Sequence, residues 1–324
     1  MEAGTGKSRF SPRAMAAWAL SLLILGYLFY RIDLAKTWAA VVETSNPAAL
    51  AVPVLLVFVI FFFDTVTLYQ IFNRVNCRVT IAPLLRIRGA LTFFSILNYN
   101  ISHLGIIQYI HNRSAVPHLE GISSILYRNS MDTILVGLMG LVGTALLRFE
   151  VVPWFVSLAT IVSAILIGIH IFLYYRSERV FAKNRPNLLA LTKAFRICSL
   201  RFLIGYIPIR LCYFAVGMIL VQRVLKLFDI EPGFVHLIAF MPLLSMVSTF
   251  PITLARLGPG KAASLWLFTP FAAEPRILAF NLLIDLIFLT AYTPIGLLGL
   301  KLAEKDIDRN ILRWVREVKN SNSH

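Results

Sequence analysis

The sequence predicts an all-α polytopic membrane protein, from its composition and from the recurrence of long apolar stretches. Hydrophobic residues make up 58% of the 324 residues and charged residues only 15%, against about 45–50% and about 25% in soluble domains. The mean hydropathy is +0.75. Because so few polar groups cannot cover a water-facing surface, lipid must solvate most of the chain. Apolar stretches long enough to cross a hydrocarbon core of about 30 Å recur along the sequence.

Six uninterrupted apolar segments are predicted to be full transmembrane helices. The first, residues 14–30, follows three basic residues, as the apolar core of a signal peptide does, but no small-residue cleavage site follows it. We therefore expect an uncleaved span. The other five predicted spans are residues 50–72, 120–147, 152–175, 199–222 and 276–300.

Two further apolar stretches, residues 89–110 and 234–271, are interrupted by polar residues, glycine or proline, at residues 98–105 and 250–260. The two arms of the second stretch are only about 24 Å and about 17 Å long as helices. We therefore expect each stretch to enter the membrane and return to its starting side as a broken, re-entrant helical hairpin. The two hairpins would enter from opposite sides in an inverted-repeat-like arrangement, which in membrane proteins usually indicates a transport site.

The distribution of basic residues sets the predicted orientation. The chain has 31 Lys and Arg against 16 Asp and Glu, a net charge of +15. If residues 89–110 return to their starting side, 20 basic residues lie on that side, 6 on the other and 5 within apolar segments. The positive-inside rule places the richer side in the cytoplasm. This predicts a cytoplasmic N-terminus (1–13), one integral domain (14–300) and a basic cytoplasmic tail (301–324), in the cell's inner or cytoplasmic membrane.

Several charged residues lie inside the predicted spans, where they are costly and tend to be functional or paired. Arg128 and Asp132 are four residues apart, so they lie on one helical face and could simply neutralise each other. Arg210 lies too deep to reach the interface and needs an internal partner or an anionic ligand. The acidic candidates for pairing, gating or coupling are Asp64, Asp132 and Asp285. The alternative is that these charges form a closed ion-pair network with no further role.

Two basic residues, Arg256 and Lys261, flank the Gly-Pro-Gly turn of the second interruption. A helix that begins near Lys261 would present its N-terminal amides to an anion, which favours phosphate over a metal. The alternative is that either side chain reaches water through a wide vestibule. Polar residues of both interruptions are further candidates for substrate binding, or they only satisfy loose backbone groups. These residues are Asn98, Asn100, His103 and Thr253.

Other function classes lack the residues that they need. The three cysteines show neither a Cys-x-x-Cys pattern nor the spacing of metal ligands, which argues against a disulfide framework or zinc module. Residues 4–8 echo the end of a Walker A motif, but the required earlier glycine is missing. No catalytic constellation is evident from residue order. We therefore expect a protein that is not an enzyme, with no cofactor, no metal and no nucleic-acid partner.

Three sequence features resemble one family. Residues 97–105 look like its Asn-rich break with the Pro-Gly lost, and Arg128 followed by Asp132 matches its Arg-x-x-x-Asp pair. Residues 251–258 fit its Pro-Ile-Thr-Pro-Gly-Gly-Leu-Gly segment except at 254–256, and Lys261 stands where a glutamate is expected. The chain thus resembles, over roughly residues 86–300, the transmembrane region of lysylphosphatidylglycerol synthases and its stand-alone flippase-like relatives.

This resemblance implies a lipid-translocating or lipid-handling helical protein with about eight membrane segments. A base in place of the acid at residue 261 would shift selectivity from a cationic towards an anionic head group. No aminoacyl-transferase domain follows residue 300, so we do not expect lysyl-lipid synthesis. The favoured hypothesis is a flippase that moves a phospholipid or lipid-linked anionic head group between leaflets. The alternatives are a membrane enzyme, or an accessory scaffold that binds partner enzymes, in envelope lipid or glycan-lipid synthesis.

Overall fold

Eleven helices and no strand make up the residues that the computed structural model describes, which are 47–92, 99–147, 153–181, 185–249 and 259–321. The predicted first span, residues 14–30, lies outside these ranges. In chain order the helices are α1 (Pro47–Val75), α2 (Ile81–Ala90), α3 (Tyr99–Ser114), α4 (His118–Leu146), α5 (Pro153–Phe181), α6 (Pro186–Leu191), α7 (Lys193–Ile197), α8 (Leu200–Leu227), α9 (Gly233–Thr249), α10 (Pro259–Phe268) and α11 (Glu274–Ser321).

Five of these helices are long and apolar enough to cross a membrane, as expected of a multi-pass helical membrane protein. They coincide with the five predicted spans that the structure describes. Their apolar parts are Ala48–Val75, His118–Leu146, Ile161–Phe181, Arg201–Leu227 and Glu274–Ala303. Helix α11 continues beyond its apolar part to Ser321, so the predicted boundary between the last span and the tail is not a helix end.

The first interrupted stretch is built differently from its prediction in two respects. Its first helix begins at Ile81 rather than at residue 89, directly after Thr80, whose backbone is extended (φ −94°, ψ 151°). The predicted break over residues 98–105 is also wrong, because α3 is already helical from Tyr99 onwards. In the second stretch α9 ends at Thr249 and α10 begins at Pro259, and most of the predicted interruption, residues 250–258, lies outside the described residues.

One face of the molecule gathers the end of α1 and the starts of α2, α4 and α8. Ser124 of α4 donates to Asn76, just after α1, at 2.5 Å, and Lys193 of α7 pairs with Glu120 of α4 at 2.5 Å. We call it the basic face, because exposed arginines cluster there. They are Arg74, Arg78, Arg113, Arg176 and Arg179.

The opposite face gathers the ends of α4, α8 and α10 and the starts of α9 and α11. His236 near the start of α9 packs on Phe271, just after α10, with 5.1 Å between ring centroids. Arg276 at the start of α11 approaches Asp229, just after α8, at 3.9 Å.

Two glycines in matching positions let short helices pack closely on long ones. Gly143 in α4 and Gly299 in α11 each lie about seven helical turns after the start of their helix. A Cβ atom at Gly143 would lie 2.5 Å from the backbone nitrogen of Ala239 in α9. One at Gly299 would lie 2.2 Å from the backbone nitrogen of Ala90 in α2. Helix α9 thus crosses α4 as α2 crosses α11, and only glycine fits at either crossing.

Alanine at either crossing should destabilise the protein, because a backbone would have to move to accept the added methyl group. We expect Gly143→Ala and Gly299→Ala each to lower the free energy of unfolding by about 1–3 kcal/mol. Fluorescence-detected thermal unfolding in detergent measures this effect as a lower melting temperature. Gly217→Ala is the control, because a Cβ atom there meets nothing within 4 Å. Equal melting temperatures for all three variants would contradict the close crossings.

Candidate functional site: a buried ion network

The charged residues predicted inside the spans lie near the middle of their helices. Asp64 lies about three helical turns, or about 16 Å, before the end of α1 at Val75. Asp132 lies midway between the two ends of α4. Arg210 lies about three helical turns after the start of α8 at Leu200. The three long helices therefore bring these side chains to one level.

Asp64 is the centre of the network, because three arginines donate to its carboxylate. Arg88 of α2 and Arg128 of α4 each form an ion pair with it. Arg210 of α8 reaches the same carboxylate, with 2.7 Å between Nη1 and Oδ1. The side chain of Asp64 is 4% exposed, and those of Arg128 and Arg210 are 1% and 3% exposed. A buried carboxylate with three guanidinium partners stays ionised without contact with bulk water.

Arg210 joins the second acid of the network to the first. Its Nε and Nη2 donate to the two carboxylate oxygens of Asp132, which is a bidentate arrangement. Such pairs fix orientation as well as charge. The guanidinium also lies over the ring of Tyr213, 3.9 Å from its centroid, and 5.2 Å from that of Phe214. One side chain of α8 thereby links α1 and α4 through ionic contacts.

The other two arginines have further polar partners. Arg88 donates to Thr65 Oγ1 at 2.8 Å and to the carbonyl of Phe61 at 3.3 Å. Arg128 lies 3.2 Å from Nε2 of His103, which places α3 against the network. The network therefore includes residues of α1, α2, α3, α4 and α8.

The described members of the network hold an excess of positive charge. Three arginines, Arg88, Arg128 and Arg210, face two acids, Asp64 and Asp132, which leaves a formal charge of +1. The side chain of Asp132 is 19% exposed, against 4% for Asp64. Asp132 is thus the acid of the network that a molecule from outside would meet first.

The structure shows which predicted partners meet. Arg210 contacts both Asp64 and Asp132, two of its three predicted candidates. The prediction of Asp285 as a third candidate partner of Arg210 was wrong, because Asp285 pairs with Lys261. Arg128 and Asp132 come no closer than 3.9 Å, because each has a nearer partner elsewhere in the network. They are therefore not the self-contained pair that their spacing allows.

Asp285 instead forms a second polar cluster with Lys261. The ammonium of Lys261 lies 2.6 Å from Asp285 Oδ2 and donates to the carbonyl of Asn281 at 3.0 Å. The Asn281 side chain donates to Ser264 Oγ at 3.0 Å. Their side chains are 14% exposed for Lys261 and 36% for Asp285. In this structure an acid of α11 neutralises Lys261, which stands near the start of α10.

Four predicted site residues cannot be placed in either cluster. Asn98, Thr253 and Arg256 lie outside the described residues, as does the side chain of Asn100. His103 is buried and contacts Arg128. Of the predicted polar residues of the two interruptions, His103 is therefore the one that the structure connects to the network.

Arg88 is the member of the network that the sequence did not indicate, because the first hairpin was predicted to begin only at residue 89. It is 9% exposed and lies on α2 with Leu84, on the buried side of that helix. A usable signal was Pro83, since proline is favoured in the first turn of a helix. A helix predicted to start near residue 81 would have placed Arg88 within that helix, on its buried side, instead of in a loop.

Comparisons with known proteins provide no identification. No family model, curated protein or solved structure matches the chain. Within the described ranges, no group of three His, Cys, Asp or Glu side chains could hold a metal ion.

Proposed function

We propose that this protein is a flippase that moves a phosphate-bearing lipid between membrane leaflets. The observation that supports this proposal most is the buried network of three arginines and two aspartates at the middle of the long helices. Charged residues within membrane helices are costly, and they commonly mark substrate or ion pathways. The resemblance to flippase-like proteins in the sequence is a second, weaker support.

The short helices support the re-entrant arrangement that such a function requires. Leu84 of α2 packs with Phe72 of α1 near the basic face, and four residues later Arg88 reaches Asp64 at the middle of α1. Helix α2 therefore runs inwards along α1. Helix α3 runs back, since His103 contacts the network while Ile110 lies with Phe72. We infer a hairpin that enters from the basic face and returns to it.

The second hairpin follows the same plan from the opposite face. Phe240 of α9 packs on Phe268 at the end of α10, with 5.6 Å between ring centroids. At the other end of α10, Lys261 meets Asp285, which lies about three helical turns into α11. A long helix, two short helices and a long helix occur in both α1–α4 and α8–α11, which supports two hairpins of the same plan. The matching crossings at Gly143 and Gly299 relate the two halves, as expected of inverted repeats.

The chemistry of the network suits a phosphate. Arginine presents a planar set of donors that binds phosphate and carboxylate in the same bidentate way. A head-group phosphate could therefore take the place of Asp132 on Arg210 without leaving the guanidinium unpaired. The positive excess of the network favours this exchange, because the bound anion would neutralise it. The exchange would open the ionic link between α8 and α4 while the head group is bound.

The orientation follows from the basic face. Exposed arginines crowd that face, whereas the opposite face holds acids next to its few bases, Asp229 beside Arg276 among them. We therefore place the basic face in the cytoplasm by the positive-inside rule. The first hairpin would then open to the inner leaflet and the second to the outer leaflet.

Reconstitution tests the proposed function directly. The purified protein is placed in liposomes that contain a fluorescent anionic phospholipid, and a membrane-impermeant quencher reports the lipid that reaches the outer leaflet. We expect the protected inner-leaflet pool to become accessible at least about tenfold faster than in protein-free vesicles. Rates equal to those of empty vesicles, across several anionic lipids, would contradict the proposal.

The membrane-enzyme alternative has less support. It needs two acids that are free to act as acid and base, or to hold a metal. Asp64 and Asp132 are both bound to arginines, and Asp285 is bound to Lys261.

A further inference from the structure

We infer that the second polar cluster, around Lys261 and Asp285, binds a zwitterionic lipid head group, with the phosphate on Lys261 and the ammonium on Asp285. The inference names the substrate class of the function proposed above, so its role in lipid movement rests on that proposed function. The site itself rests on three observations. The ion pair is exposed although it lies deep in an apolar helix, it has no net charge, and it matches the position of the network in the other half of the protein.

The ion pair is open to its surroundings at membrane depth. The side chain of Asp285 is 36% exposed and that of Lys261 is 14% exposed, so protein atoms do not cover either of them fully. Asp285 nevertheless lies about three helical turns after the start of α11, within its apolar part. Lipid tails cannot solvate a carboxylate, and charged side chains at such depth face the protein interior or a water-filled space. The open side of the pair therefore faces water or a polar head group.

The carboxylate of Asp285 already holds one primary ammonium, that of Lys261. The ammonium lies 2.6 Å from Oδ2 of Asp285 and donates to the carbonyl of Asn281 at 3.0 Å. An ionised carboxylate has two oxygens and about four acceptor positions. Asp285 can therefore accept from the ammonium of a head group while it keeps its contact with Lys261.

Buried neighbours hold the pair in one arrangement. The side chain of Asn281 donates to Ser264 Oγ at 3.0 Å and to the carbonyl of Ile277 at 2.9 Å. Both Asn281 and Ser264 are buried. Ser264 lies one helical turn after Lys261, and Asn281 one turn before Asp285, so their hydrogen bond joins α10 to α11 beside the pair. A fixed pair of charges orients a head group better than mobile side chains do.

The balance of charge selects a zwitterion over an anion. Lys261 and Asp285 neutralise each other, whereas the network holds one positive charge in excess. An anion alone would leave the second cluster with uncompensated negative charge, which is costly at membrane depth. A zwitterion keeps the total charge at zero, because its phosphate faces Lys261 while its ammonium faces Asp285. The preference for anionic head groups that a base at residue 261 predicts is thus cancelled by the acid beside it.

The second cluster corresponds in position to the network. Asp132 lies about three helical turns before Gly143, where α9 crosses α4, and Asp285 lies about four turns before Gly299, where α2 crosses α11. In both places the acid is more exposed than its basic partner. Each half of the protein therefore presents one such pair, and the pair of the second half belongs to the hairpin that starts from the opposite face.

A head group that fits both clusters needs two charged parts. The arginines of the network select a phosphate, and the second cluster adds an ammonium to that requirement. Phospholipids with an ethanolamine head group carry both parts, whereas those with a glycerol head group carry the phosphate alone. We therefore expect the protein to prefer the former at the second cluster.

Lipid binding tests the site without any need for lipid movement. The background is Asp132→Asn with Arg210→Gln, which removes the pair that the network offers to a phosphate. Native mass spectrometry then compares a short-chain phosphatidylethanolamine with a phosphatidylglycerol of the same chain length. We expect phosphatidylethanolamine to bind at least about tenfold more tightly, as one hydrogen bond to a charged group provides. Equal affinities, or tighter binding of phosphatidylglycerol, would overturn the inference.

A change of charge in the cluster tests the role of Asp285. Asp285→Asn gives the cluster a charge of +1, so the preference should reverse in favour of phosphatidylglycerol. Asp229→Asn is the control, because it removes an exposed acid near the opposite face and should leave the preference unchanged. A preference for phosphatidylethanolamine that persists in Asp285→Asn would contradict the site. The same two variants in the wild-type chain give this comparison if the background does not fold, because the network is then common to all samples.

Free phosphoethanolamine separates a lipid site from a site for a soluble zwitterion. It carries the same charges without acyl chains, so we expect it to bind at least about tenfold more weakly than the lipid. Binding as tight as that of the lipid would contradict a lipid site. If the cluster selects phosphatidylethanolamine but reconstituted protein moves no lipid, the proposed function fails and the site remains. If lipid moves but the cluster shows no preference, the inference fails alone.

Discussion

Replacing Asp64 with asparagine should destabilise this protein more than any other single change in the network. The substitution keeps the size of the side chain and removes the charge that three arginines share. Arg210 would still have Asp132, but Arg88 and Arg128 would lose their nearest carboxylate. Removing one partner of a buried ion pair costs about 3–5 kcal/mol, because the remaining charge is uncompensated. In Asp64→Asn the charges of both Arg88 and Arg128 would remain uncompensated, so we expect little folded protein in detergent.

Monodispersity and melting temperature in size-exclusion chromatography measure this effect. Asp229→Asn is the matched control, since Asp229 is 86% exposed and 3.9 Å from its partner. Exposed pairs contribute about 0–1 kcal/mol, so the control should behave as the wild type does. The double variant Asp64→Asn with Arg88→Gln should recover part of the loss, because one stranded cation is removed. A stable Asp64→Asn protein would show that the network does not hold the fold together.

Replacing Arg210 with glutamine should have the largest effect on lipid movement. Arg210 is the network residue from the second half of the protein, and it holds both acids. Hydrogen bonds to charged groups contribute about 1.5–3 kcal/mol each, which corresponds to about 10-fold to 100-fold in rate or affinity. We therefore expect lipid translocation to fall by at least about tenfold. The control is Arg201→Gln, since Arg201 is an exposed arginine on the same helix near the basic face.

Loss of folding could produce the same decrease, so stability must be measured beside transport. Arg210→Gln leaves Asp132 without its bidentate partner, which is itself destabilising. Arg210→Lys keeps the charge but cannot bind a phosphate in the bidentate manner. We expect Arg210→Lys to stay folded and to move lipid more slowly than the wild type. If Arg210→Gln moved lipid at the wild-type rate, Arg210 would not be part of the substrate-binding site.

The five long described helices could be predicted from the sequence, because each is marked by a long, continuous run of apolar residues. Each of the five described spans has about 20 or more residues in a mainly apolar run, and neither packing nor partners are needed to recognise that pattern. Short helices depend on tertiary contacts, and here the prediction failed in detail. Helix α2 is too short to be stable alone. Pro83 in its first turn is a local signal for its start at Ile81, but its packing along α1 is not visible in residue order.

The network was predictable in part, for a related reason. A charge in an apolar span is visible in the sequence, so Asp64, Arg128, Asp132 and Arg210 were all found. Which of them meet depends on helix rotation and depth, which are set by close crossings such as that at Gly143. Arg88 was missed because the error at the start of α2 placed it in a loop. Asp285 was one of three candidate partners of Arg210, and its actual partner is Lys261. Residue spacing alone does not show that these two residues, which lie on different helices, are close.

We propose that a phosphate takes the place of Asp132 on Arg210. The most direct test is to measure lipid translocation in a variant that lacks the charges of both Asp132 and Arg210. Asp132→Asn with Arg210→Gln removes one acid and one base together, so the net charge of the network and the pairs of Asp64 with Arg88 and Arg128 are kept. We predict a melting temperature near that of the wild type and lipid movement no faster than in protein-free vesicles. A folded double variant that moves lipid at the wild-type rate would contradict the exchange.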